Sequence, residues 1–88
     1  MEVSQNNLNA ILELPKEQRL KLFREELAKV TPHMSDDYGA FTRREFPHLK
    51  TKKGRTHMYN VKLYGSEDWE LLFFWKRLFV PTGSMAAA

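Results

Sequence analysis

The stretch Trp69-Glu70-Leu71-Leu72-Phe73-Phe74-Trp75 sets the tightest limit on this chain, because six of its seven residues are apolar or aromatic. Whatever element holds it must be covered on nearly every side. Burial of each such side chain is worth roughly 1.5–3 kcal/mol over leaving it in water. A run of this length and aromatic content suits a central strand covered on both faces. Only 88 residues are available to cover it, enough for one domain with a small core. No cysteine is present, which excludes disulfide staples and thiolate metal sites.

The elements upstream follow from spacing. Leu8, Ile11 and Leu12 predict a short helix that reaches Leu14. Pro15 breaks it and opens a second helix, because proline disfavours helical geometry in the residue before it but suits a first turn. From Pro15 to Val30, Leu20, Phe23, Leu27 and Val30 share one face, with Leu22 beside them. Glu17 with Lys21 and Glu25 with Lys29 are i, i+4 pairs in the favourable order. Residues 31–40 are rich in turn formers and read as a loop, and residues 41–56 show no strong period.

Residues 57–64 alternate, with Tyr59, Val61 and Leu63 on one face and Met58, Asn60, Lys62 and Tyr64 on the other, which predicts a strand. Gly65-Ser66-Glu67-Asp68 is a turn. Leu78-Phe79-Val80 is a third strand candidate after Lys76-Arg77, closed by Pro81. The expected fold is therefore α+β: two N-terminal helices packed on a small antiparallel sheet of two to four strands. Residues 1–81 form one domain on this reading, and residues 82–88 a disordered C-terminal tail. No apolar run approaches a membrane span, and the N-terminus lacks the basic start and apolar stretch of a signal peptide. The expected setting is cytoplasmic, with no membrane partner.

The net charge of +3 is mild, but it is unevenly spread. Residues 42–64 carry Arg43, Arg44, Lys50, Lys52, Lys53, Arg55 and Lys62 against Glu45 alone, a net +6. A cluster of this kind attracts phosphates. Lys62 and the residues just before the alternating segment, Arg55 and His57, are candidates for phosphate contact and proton transfer. Tyr59 and Trp69 are candidates for base stacking, though Tyr59 is equally readable as a core residue and Trp69, which alternates with Phe73 and Trp75, reads more readily as core. His33, His48 and His57 are too scattered for a metal site, and no glycine-rich phosphate loop or nucleophile elbow occurs, so no cofactor is expected.

Four features occur in one order: Leu14-Pro15-Lys16-Glu17, Leu49-Lys50 with a basic loop, Met58-Tyr59-Asn60-Val61-Lys62-Leu63, and Trp69-Glu70-Leu71-Leu72-Phe73-Phe74. This order resembles the RelE/ParE/HigB toxin superfamily of toxin–antitoxin modules, in its phage-type branch. The resemblance implies an RNA-binding toxin-type domain that acts on ribosome-associated mRNA without a metal and is held by an antitoxin protein. Lys62 and Tyr59 match the basic and aromatic positions of the family's first motif strand, and Trp69 the aromatic that opens the next. Lys62 by this match, with Arg55 and His57 by their place just before the alternating segment, are the catalytic candidates. Lys50, Lys52, Lys53, Arg43, Arg44, Tyr59 and Trp69 are the RNA-binding ones. Glu70 stands where the family carries arginine, which leaves endoribonuclease activity open. The alternative is a non-catalytic interaction or nucleic-acid-binding protein of a mobile element, acting as a homo-oligomer.

Overall fold

The computed structural model describes residues 3–80. Five α-helices follow one another: α1 (Leu8–Leu12), α2 (Lys16–Val30), α3 (Tyr38–Glu45), α4 (Lys52–Tyr64) and α5 (Trp69–Phe79). A short 3₁₀ turn at Gln5–Asn7 leads into α1, and others at Thr31–His33 and Pro47–Lys50 follow α2 and α3. No strand occurs among the described residues, so the α+β expectation and its antiparallel sheet are replaced by an all-helical domain. The expected tail at residues 82–88 lies outside the described residues. No helix of the described residues is long and apolar enough to cross a membrane.

The Trp69–Trp75 run is covered on nearly every side, as its composition demands, but as a helix. Trp69, Leu71, Leu72, Phe73, Phe74 and Trp75 are all buried, and α5 is the hub of the core. Trp69 meets Phe23 of α2 edge-on at 5.1 Å. Trp75 meets Tyr38 of α3 edge-on at 6.0 Å, and Phe74 meets Phe46 at 5.4 Å. A continuous apolar run carries no period, so it fits a buried strand and a buried helix equally. The helix is decided at its ends. Asp68 caps α5, its Oδ1 accepting the Leu71 N–H at 3.1 Å. Lys76 and Arg77 occupy the last turn, where the helix dipole favours cations. The expected third strand, Leu78-Phe79-Val80, is the end of this helix and its C-cap.

The alternating segment 57–64 is the second half of α4. Its buried stripe is Gly54, Met58 and Val61, at i, i+4 and i+7. Tyr59 and Leu63, the expected strand partners of Val61, are exposed. The boundaries are again chemical. The Thr51 hydroxyl accepts the Gly54 N–H at 3.0 Å. Gly65 ends the helix at φ 69°, a left-handed conformation that a Cβ disfavours. Gly54 is required for a different reason: a Cβ there would lie 2.4 Å from the Leu49 Cα, because the first turn of α4 is pressed onto the Pro47–Lys50 turn.

In α2 the expected stripe is present through Phe23, Leu27 and Val30, and Pro15 is its N-cap. The stripe also contains Glu26, which is buried. Lys29 pairs with Glu26 at 2.7 Å instead of with the expected Glu25. Lys76 of α5 reaches the other oxygen of Glu26 at 3.4 Å and also donates to the Val3 carbonyl at 3.2 Å. Burial opposes ionisation of Glu26, but the hydrogen bond from Lys29 and the charge of Lys76 outweigh it and hold the carboxyl below its ordinary value.

Candidate nucleic-acid interface

Residues 38–64 form a helix pair, α3 and α4, joined by residues 46–51. The pair closes through its aromatic residues. Tyr38, the first residue of α3, meets Tyr59 of α4 edge-on at 6.5 Å, and the Lys62 ammonium sits 4.2 Å above the Tyr38 ring. Burial pushes the Tyr38 phenol up from its ordinary value. The pair is anchored to α5 from below. The indole N–H of Trp75 donates to the Thr42 hydroxyl at 2.8 Å, and that hydroxyl donates to the Tyr38 carbonyl at 2.6 Å. Every polar atom in this buried relay is satisfied.

The basic block maps onto this pair. Arg43 and Arg44 stand in the last turn of α3, Lys50 ends the 3₁₀ turn, and Lys52, Lys53 and Arg55 occupy the first turn of α4. Among the described residues none of these six cations forms an ion pair. The only acid within residues 42–64, Glu45, pairs with none of them. The first turn of α4 holds no acidic residue. Two lysines and an arginine thus stand at the positive end of a helix dipole, which costs helix stability. A polyanion laid across this end would relieve it.

The exposed face of α4 has an order along its length. Lys52, Thr56, Tyr59 and Leu63, at i, i+4, i+7 and i+11, form the line opposite the buried stripe. Lys52, Lys53, Thr56, His57 and Asn60 line one shallow depression beside it. The Thr56 hydroxyl donates to the Lys52 carbonyl at 3.0 Å. His57 Nε2 lies 2.7 Å from Asp68 Oδ2, so the carboxylate that caps α5 also fixes the imidazole of α4.

Most of the candidate site residues are brought together here: Arg43, Arg44, Lys50, Lys52, Lys53, Arg55, His57 and Tyr59 belong to the one helix pair. Lys62 belongs to it as well, but its ammonium is turned onto the Tyr38 ring. Trp69 does not join them. It is 6% exposed, lies in the core against Phe23, and its indole N–H donates to Glu67 at 2.6 Å. Glu67 also holds Arg19 at 2.6 Å, so this corner ties α2 to α5. Glu70 is exposed in the first turn of α5, where the dipole favours an acid. Residue type alone does not mark Thr56 and Asn60 as site residues. Helical spacing from Lys52, once the Thr51 cap is read, would have placed them beside it. Among the described residues no cluster of side chains could hold a metal ion. No protein-family model, curated protein or solved structure matches the chain.

Proposed function

We propose that the chain is a nucleic-acid-binding domain that presents α4 to the major groove of duplex DNA. The observation that carries this reading is the set of unpaired cations gathered on α3, the 3₁₀ turn and the first turn of α4. An exposed helix of 13 residues suits the groove, which is about 12 Å wide in B-DNA and admits an α-helix. The major groove of A-form RNA is too deep and narrow for this mode. The first helix of such a pair lies across the backbone while the second lies along the groove. On this arrangement Arg43, Arg44 and Lys50 hold phosphates, and Lys52, Lys53 and Arg55 hold phosphates at the groove edge.

The test is titration of a labelled duplex with the protein at several salt concentrations. Each phosphate neutralised contributes about −0.9 to the slope of log K against log salt. A slope of about −4 or steeper, reduced by about 1 in each of Lys52→Ala and Lys53→Ala, is the expected result. Binding that is absent at low salt, or indifferent to salt, overturns the reading.

One observation favours a second reading, the toxin-type action on RNA. The imidazole of His57 is held by Asp68 beside Lys53, an arrangement able to move a proton near a bound phosphate. Incubation with translating ribosomes separates the two. Cleavage of mRNA that His57→Ala abolishes supports the toxin reading, and intact mRNA with salt-dependent duplex binding supports the first.

A further inference from the structure

The outer line of α4 changes character along its length. Its N-terminal half is Lys52 and Thr56, and its C-terminal half is Tyr59 and Leu63. These last two are 52% and 60% exposed; Tyr59 touches the core only through the edge of its ring on Tyr38, and Leu63 is not among the residues packed against the core. Asn60 flanks them, and its side-chain amide makes no hydrogen bond to the described residues. Phosphate has nothing to offer an exposed leucine. In the major groove only one base edge presents an apolar group, the C5-methyl of thymine, while adenine presents N6 and N7 to an asparagine in bidentate fashion.

We propose that the C-terminal half of α4 reads A·T pairs, with Asn60 bonded to adenine and Leu63 and Tyr59 against thymine methyl groups. The inference rests on the duplex-binding reading above and adds a base preference to it. The cations at the N-terminal half supply affinity without sequence information. The three residues on the C-terminal half supply the discrimination.

The experiment compares three duplexes of equal length at one salt concentration: alternating dA-dT, alternating dG-dC, and the dA-dU duplex that lacks the methyl groups. The expected order is dA-dT tightest, dA-dU about threefold weaker, and dG-dC about tenfold weaker, the scale of one lost specific contact. Asn60→Ala reduces the preference for A·T over G·C to about the threefold that the methyl groups supply. The double variant Tyr59→Ala/Leu63→Ala removes the difference between thymine and uracil. Both leave the salt slope unchanged. The methyl comparison also excludes a minor-groove origin of any A·T preference, because the methyl lies in the major groove. Equal, salt-dependent binding to all three duplexes overturns this inference and leaves duplex binding standing. Absence of binding to all three overturns both.

Discussion

Charged side chains are handled in opposite ways in two parts of this molecule. In the α2–α5 scaffold they find partners across elements: Arg19 with Glu67, and Lys76 with the buried Glu26. Lys76 further holds the Val3 carbonyl, and Arg24 donates to the Gly65 carbonyl at 3.3 Å. In the α3–α4 pair six cations crowd the connecting turn and the helix ends beside it, without one ion pair among the described residues. The scaffold uses charge to fix packing. The pair stores charge that only an outside anion can neutralise. Stability and binding are thus assigned to different residues, and substitutions should separate them.

The largest effect belongs to the scaffold. Trp75 is fully buried and joins α5 to Tyr38 and Thr42. Trp75→Ala is expected to cost about 3–5 kcal/mol in chemical denaturation, since it opens a cavity and strands the Thr42 relay. A loss below about 1 kcal/mol would mean that α5 is not the hub. Next comes the joint between the two regions. Gly54→Ala forces a Cβ onto the Leu49 backbone, which cannot yield as a side-chain tip could. A cost of about 1–3 kcal/mol is expected, together with weaker duplex binding because α4 is displaced. Unchanged binding would show that the seat of α4 on the turn does not position the interface.

A smaller effect is confined to acid. The Glu26 carboxyl is held below its ordinary value, so its stabilising contribution is full above the unfolded carboxylate value, about 4.3. That contribution fades as pH falls through the lower folded value. Glu26→Gln is expected to cost about 1 kcal/mol at pH 7, and the gap to the unaltered chain should shrink below about pH 4. Unfolding curves at pH 7 and pH 3 check this. A gap that persists at pH 3 would assign the loss to packing and not to charge.

The parts legible in the sequence are those with a period or a cap. α2 follows from Pro15 and the Phe23, Leu27, Val30 stripe, and the net +6 of residues 42–64 is plain from counting. The run at 69–75 reveals that it is covered but not as what, because every position is apolar and no period survives. At 57–64 the side chains happen to alternate, and alternation hid a stripe that begins at Gly54, outside the alternating window. Thr51, Gly65 and Asp68 carry the correction in the sequence itself, since a cap is a statement about helix ends that propensity cannot make. Trp69 illustrates the opposite problem. Its residue type suits stacking on a base, and only its contact with Phe23 and Glu67 shows that it is spent on the core. The basic residues were identifiable from the sequence, but their gathering onto one helix pair depends on the Leu49–Gly54 contact, which no local pattern announces.

The central claim, that the first turn of α4 sacrifices helix stability to present charge, is tested most directly by the double variant Lys52→Glu/Lys53→Glu. Acids at a helix N-terminus are favoured by about 0.3–1 kcal/mol each and cations disfavoured by similar amounts. Thermal unfolding and duplex titration on the same sample give both answers. The expected result is a rise in Tm, on the scale of about 4–8 °C per kcal/mol for a domain this size, together with loss of duplex binding. A fall in Tm, or binding that survives the reversal of both charges, would contradict the account.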